Sequence, residues 1–255
     1  MIQNRVFPFI PTPVNQYESY DNIDFGTVKG FSFTYDYRRT GNLEFQVAYT
    51  LQFANGTGSD ANSSRGINSR GNLRYLIPLS YDERHRFSSV LDYRYASGKR
   101  YNGPRIAGLD ILSNTGINML VTAVSGRPYT RTTNPSPFGG SGFQGAINGA
   151  RLPWYFNVDL KIDKDISIKD KAFVNVYFRV QNVLDIKNVI GVYSVTGSPE
   201  DSGYLLSQFG RSRINDIEAT GRPVENFLDM YSWRLLVPGF YSFPRRMYVG
   251  ATLSF

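Results

Sequence analysis

The stretch Leu43-Glu-Phe-Gln-Val-Ala-Tyr-Thr-Leu-Gln-Phe53 decides the class of this chain. Leu43, Phe45, Val47, Tyr49, Leu51 and Phe53 share one parity; Glu44, Gln46, Ala48, Thr50 and Gln52 share the other. Apolar residues make up 41% of the chain, so six in succession at one parity arise by chance about once in 200. Successive side chains of an extended strand point to opposite faces, which predicts a strand with one apolar and one polar face. Two architectures use such a strand. A β-sandwich presses the apolar face onto a second sheet, whereas a membrane barrel turns it to lipid and the polar face to an aqueous lumen. Glu44, Gln46 and Gln52 suit either.

Toward the N-terminus, the turn Arg39-Thr-Gly-Asn42 leads back to a strand predicted over 28–38. It sets Phe31, Phe33, Tyr35 and Tyr37 against Ser32, Thr34, Asp36 and Arg38. Residues 1–27 hold Pro8, Pro11 and Pro13, which argue against pairing and predict a loop packed by Phe7, Phe9 and Tyr17.

Toward the C-terminus the alternation recurs. A strand over 86–96 has Phe87, Leu91, Tyr93 and Tyr95 on one face, and one over 109–124 has Ile117, Met119, Val121 and Ala123. At 154–164, Trp154, Phe156, Val158, Leu160 and Ile162 oppose Asn157, Asp159, Lys161 and Asp163. At 172–182, Val174, Val176, Phe178 and Val180 oppose Asn175, Tyr177, Arg179 and Gln181. The predicted connections alternate. Short ones lie at 39–42, 97–107 and around Lys169-Asp170, and long ones at 54–83, 126–152 and 183–243. Outer-membrane barrels alternate tight periplasmic turns with long external loops; a sandwich has no reason to.

The last nine residues alternate to the final one: Met247, Val249, Ala251, Leu253 and Phe255 against Tyr248, Gly250, Thr252 and Ser254. Chain ends are usually polar and frayed. Tyr248, Gly250, Leu253 and Phe255 resemble the C-terminal insertion signal of bacterial outer-membrane barrels, which the barrel-assembly machinery reads as a strand.

Composition narrows the class. The absence of Cys excludes disulfides and thiolate metal sites. The net charge of +7 is scattered rather than clustered, which argues against nucleic acid as a partner. No run approaches 18 apolar residues, so no helix is expected to span a membrane, while a spanning strand needs only about 9–11 residues. The opening Met1-Ile-Gln-Asn-Arg-Val-Phe-Pro8 lacks a basic segment followed by an apolar one. An exported barrel needs such a leader, so the expectation is a piece of a longer protein.

Four further stretches resemble the C-terminal third of TonB-dependent outer-membrane receptors. They are Asp82-Glu-Arg-His85 leading to Leu91-Asp-Tyr-Arg-Tyr95; Ser125-Gly-Arg-Pro-Tyr-Thr130; Asn148-Gly-Ala-Arg-Leu-Pro153 followed by Asn157–Lys164; and Phe178-Arg-Val-Gln-Asn-Val-Leu-Asp185. Pro244-Arg-Arg246 completes the order over residues 40–255. The resemblance implies seven antiparallel, up-and-down strands from a larger barrel of about 22. The plug and earlier strands would lie elsewhere in the parent protein, and 1–27 would be a loop segment. It implies energy-coupled import of a scarce nutrient (glycan, peptide or metal chelate) at the bacterial outer membrane. The implied partners are outer-membrane lipid, the remaining strands and plug, the assembly machinery and, through the plug, the inner-membrane energy transducer. The phenylalanines, tyrosines and aliphatics named in 31–37, 43–53, 156–162 and 174–180 would face lipid. Glu44, Gln46, Gln52, Asp159, Lys161, Arg179 and Gln181 would face the lumen.

Chemistry is not prominent. His85 is the only histidine and reads as structural. Asp159, Asp163 and Asp165, with Lys161 and Lys164 interspersed, are spaced too widely for a calcium loop, and the carboxylates read as a polar ladder. Gly139-Gly-Ser-Gly142 lacks the ending of a phosphate loop and the frame of a nucleophile elbow. No enzyme activity and no cofactor are expected. Trp154, Tyr155, Tyr93, Tyr95, Tyr241 and Tyr248 near strand ends read as an interfacial girdle. The rival reading is a soluble or cell-surface β-sandwich that binds carbohydrate or acts as an adhesin.

Overall fold

A computed structural model of the chain describes residues 2–6, 16–20, 25–60, 75–136, 139–168 and 172–255. Seven long strands follow the alternating stretches: β1 Gly26–Thr40, β2 Leu43–Gly56, β3 His85–Arg94, β4 Thr115–Val124, β5 Tyr155–Ile168, β6 Ala172–Gln181 and β7 Arg246–Ser254. Each pairs antiparallel with its neighbour in sequence, giving one up-and-down sheet in chain order. The two-residue strand Ile77–Pro78 adds to the end of β2.

Register follows pattern. Tyr37, Phe45, Leu91, Met119, Leu160, Val180 and Met247, one from each strand, stand directly opposite one another in a single row. A one-residue slip in any strand would break that row, because it would turn every side chain of that strand over. The polar parity aligns equally: Glu44, Asp92, Asn118, Lys161, Arg179 and Tyr248 form a row across β2 to β7. β1 and β7 are the two edges, each paired on one side only among the described residues.

Among the described residues, no second layer covers the apolar face. Phe31, Phe33 and Tyr35 are 60%, 52% and 48% exposed, and Val249 is 79% exposed. The chain exposes 17497 Å², against about 11,300 Å² for a compact monomer of this mass.

Four expectations need correction. The N-terminal stretch read as loop contains an antiparallel pair, Ile2–Val6 with Gln16–Tyr20. Its prolines fall between the paired segments, outside the described residues together with Phe7 and Phe9. The strand expected at 109–124 begins only at Thr115, so 95–114 is a long connection built around the buried Tyr101. The loop expected at 126–152 contains a hairpin, Arg131–Ser136 with Gly139–Gln144, and a short pair, Pro128–Tyr129 with Ala150–Arg151. The loop expected at 183–243 contains two helices, α1 Gln208–Ala219 and α2 Val224–Leu235. The turn around Lys169-Asp170 lies outside the described residues.

The strand ends Thr40 and Leu43, Arg94 and Thr115, and Ile168 and Ala172 lie at one end of the sheet; Gly56 and His85, Val124 and Tyr155, and Gln181 and Arg246 lie at the other.

Candidate functional site

The polar face carries a charge ladder. Glu44 and Asp92 stand directly opposite each other on β2 and β3, and like charges so placed repel. A register shift after Tyr37 resolves this: it brings Arg39 of β1 round to bridge both carboxylates, with Nη2 2.8 Å from Glu44. This bulge turns the end of β1, where simple alternation gave Arg38 to that face. The second bridge skips a strand. Arg94 of β3 crosses β4 over Gly116 and donates to Asp163 of β5 at 2.9 and 3.0 Å. A Cβ at Gly116 would collide with the guanidinium, so glycine opens that path. Asp163 is only 4% exposed, and Asn175 of β6 donates to it and to Asp165 at 3.3 and 2.6 Å. Gly250 plays the same part for Tyr177, whose ring fills the space a Cβ would need and lies under Lys161.

The end with the longest connections is closed by a collar built from the stretches singled out in the sequence. Asp82 is 1% exposed and accepts from the Ala54 N–H of β2 at 2.8 Å. Its carboxylate pairs with Arg151, which also donates to the Asp82 carbonyl at 2.7 Å and to the Gly126 carbonyl at 3.2 Å. Ser125 and His85 exchange bonds: the Ser125 N–H donates to the His85 carbonyl, and the His85 N–H to the Ser125 hydroxyl. Gly126 sits where a Cβ would run into the Leu152 carbonyl. Asn148, at φ +55°, donates to the Pro78 carbonyl at 2.7 Å. Asn182, at φ +53° and 5% exposed, is fully satisfied. Its N–H donates to Asp159, its amide donates to the carbonyls of Ile186 and Phe243, and its carbonyl accepts from Ile186. Asparagine tolerates the left-handed region better than most residues. These residues orient backbone and so position what lies beyond them.

Beyond the collar stand the hairpin 131–144 and a lobe over 191–241. The lobe packs around Tyr193, Tyr204 and Tyr231, all buried, with the Ser202 and Tyr231 hydroxyls 2.6 Å apart. Phe240 meets Tyr193 edge-on at 5.0 Å. Burial, above all, raises the Tyr193 phenol above its ordinary value. Tyr241 is also raised, chiefly by its 2.8 Å hydrogen bond to Glu200. Outward the lobe presents Leu206, Phe209, Met230, Trp233 and Leu236. The signals for its helices were present. Ser207 caps α1 by accepting from Gly210 N–H, and Pro223, Glu225 and Arg234 bracket α2. α2 also carries an apolar stripe at helical spacing, Val224, Phe227, Leu228, Tyr231 and Leu235, a signal that could have found it.

Among the described residues, the polar face carries a cleft at each end. One of about 400 Å³ at the collar is lined by Glu83, Arg86, Thr122, Arg127 and Tyr155, with Glu83 bridging Arg127 and Arg86 at 2.7 and 3.2 Å. The other, of about 600 Å³, surrounds Arg39, Glu44, Gln46 and Asp92 at the opposite end.

The sites expected from sequence are distributed as follows. Phe31, Phe33, Tyr35, Tyr37, Leu43, Phe45, Val47, Tyr49, Leu51, Phe53, Phe156, Val158, Leu160, Ile162, Val174, Val176 and Phe178 share the apolar face, all exposed or half-exposed. Val180 shares that parity but is 7% exposed, at the strand end where Asn182 folds the next connection back. Glu44, Gln46, Gln52, Asp159, Lys161, Arg179 and Gln181 take the polar parity. Tyr248 faces Arg179 on the polar side and Leu253 faces Val174 on the apolar side, while Phe255 lies past the last paired residue, fully exposed. His85 holds the Tyr49 hydroxyl at 2.9 Å through Nδ1 and stacks on Trp154 at 5.7 Å. The girdle divides. Trp154, Tyr93 and Tyr95 lie on the apolar side, but Tyr155 and Tyr248 take the polar parity and Tyr241 belongs to the lobe. Nearness to a strand end does not say which way a ring points.

Comparison with protein-family models, with curated proteins and with solved structures finds no match to this chain.

Proposed function

We propose that this chain is the C-terminal part of a TonB-dependent outer-membrane receptor, importing a scarce nutrient such as a glycan, peptide or metal chelate by energy coupling. The observation that carries this reading is the uncovered apolar row across all seven strands, opposite a charged and amide-rich face. Ten residue steps from Leu43 to Phe53 span about 34 Å at ~3.4 Å per residue. A tilt of about 45° reduces this to ~24 Å, near the ~25 Å apolar band of such barrels. In this reading the apolar positions meet lipid, and the ladder of Glu44, Gln46, Gln52, Asp159, Lys161, Arg179 and Gln181 lines the lumen. The collar fixes the external loops that capture ligand. The edges β1 and β7 pair with strands of the parent barrel, because unpaired backbone in lipid costs several kcal/mol per group.

The β-sandwich places Leu43–Phe53 and Val174–Val180 in different sheets, face to face. In the fold they belong to one sheet and share a face.

The test is partition of the expressed chain between buffer and detergent, with far-UV circular dichroism of each fraction. The barrel reading expects β structure only in detergent or lipid; a folded β-rich monomer in plain buffer overturns it. Deleting Phe255 from the parent protein is expected to lower its surface level and leave ligand affinity unchanged. Normal surface levels would count against an insertion role for the C-terminal strand.

A further inference from the structure

The connection 95–114 leaves the end of the sheet expected to carry only tight turns, yet it is long and ordered. Tyr95 continues the pairing of β3, its N–H donating to the Thr115 carbonyl at 2.9 Å, and so keeps the apolar parity of Tyr93. Its ring meets Tyr93 edge-on at 5.3 Å and Tyr101 at 6.0 Å. Tyr101 is buried and organises the loop, donating to the Pro104 carbonyl at 2.6 Å. Lys164, which has the parity of Ile162, donates to the Ile111 carbonyl. Asn42, at the β1–β2 turn, donates to Asn102 at 2.6 Å and to Tyr93 at 3.2 Å. The connection is therefore tied to the apolar side of the sheet.

Its tip is Ile106-Ala-Gly-Leu109. Ile106 and Leu109 bond each other's backbone, at 3.2 and 3.0 Å, across Ala107 at φ +50° and Gly108 at φ +77°. Two central residues at positive φ define a type I′ turn, which strongly prefers Asn or Asp at the first position. Alanine there holds a left-handed backbone that Asn or Asp would adopt more readily, and it removes the one polar side chain the turn would carry. Ile106 and Leu109 are 61% and 68% exposed. Lys99 and Arg100, both exposed, lie a few residues before the tip.

We propose that Ile106–Leu109 is a membrane-surface anchor: its apolar tip enters the phospholipid interface beside the sheet, with Lys99 and Arg100 at the phosphate headgroups. This rests on the membrane reading above. Continuity with the apolar face, an apolar strained turn whose flanking Arg105 and Asp110 neutralise each other at 2.8 Å, and cations earlier on the same connection all favour lipid as the occupant.

The chain has no native cysteine, which permits a clean test. Leu109→Cys, Val47→Cys and Gln46→Cys are each labelled with an environment-sensitive fluorophore. The full chain is then reconstituted into phosphatidylethanolamine–phosphatidylglycerol vesicles and exposed to lipid-borne or aqueous quenchers. The proposal expects the label at 109 to lose emission to a shallow lipid-borne quencher, the label at 47 to a deep one, and the label at 46 to neither. Lipid quenching at 47 with aqueous quenching at 109 overturns the anchor and leaves the membrane reading intact. Shielding of 109 from both quenchers assigns the tip to a protein partner and also overturns it. Aqueous quenching at both 47 and 109 overturns the membrane reading, and the anchor with it.

Discussion

The sheet and the collar invert each other. On the sheet, Phe31, Phe33 and Val249 are mostly exposed; in and around the collar, Asp82, Asn182 and Asn188 are buried. A globular domain gains most of its stability from buried apolar surface and buries polar groups only when they are paired. Here the apolar surface of the sheet stands uncovered among the described residues, while Asp82, Asn182 and Asn188 are each paired inside. Asn188 illustrates the second half: its side chain bonds both the N–H and the carbonyl of Phe156, at 2.9 and 2.8 Å, where no neighbouring strand does so. On the proposed reading the sheet's energy depends on the surrounding medium, whereas the collar's depends on complementarity within the chain.

Four measurements break or sharpen that contrast. The largest effect is expected from Asp82→Ala. It removes the acceptor of the Ala54 N–H and leaves Arg151 without its buried partner, at a cost of about 3–5 kcal/mol in any medium. Denaturant unfolding in detergent measures it, and Asp82→Asn should fall between. Next is arginine at adjacent positions. Val47→Arg, near the middle of the apolar stretch, is expected to cost about 2–4 kcal/mol on folding into a bilayer, and Gln46→Arg close to nothing. Equal costs at the two positions would show that the faces do not meet different media.

Gly116→Ala comes third. The added Cβ pushes Arg94 from Asp163 and leaves a buried carboxylate short of its cation, for about 1–3 kcal/mol. A double-mutant cycle with Arg94→Ala should find the glycine effect largely gone once the guanidinium is absent. The smallest effect is alkaline titration of Tyr193. Its folded phenol titrates above the ordinary 10.0 because burial disfavours the anion. The stabilisation is therefore fully present below that ordinary value and is lost as pH rises through the higher folded one. The tyrosinate absorbance missing from Tyr193→Phe should appear later than that of an exposed tyrosine.

Alternation by itself determined the seven long strands and their faces, apart from the start of β4 at Thr115 and the bulged end of β1. Each of the seven is anchored by residues whose parity is written locally, and register followed because only one alignment keeps Tyr37, Phe45, Leu91, Met119, Leu160, Val180 and Met247 in one row. The quoted stretches around Asp82, Ser125, Asn148 and Asn182 were also legible as unusual, but not as parts of one collar. That needs Arg151 to meet a residue 69 positions earlier, a contact no local pattern encodes. Tertiary structure alone decided the bridge from Arg94 over Gly116 to Asp163 and the turn of Arg39 onto the polar face. The physical reason is the same in each case. Strand faces are set by the two-residue period of the backbone, whereas buried ion pairs and loop packing are set by which distant atoms that backbone brings within hydrogen-bonding distance.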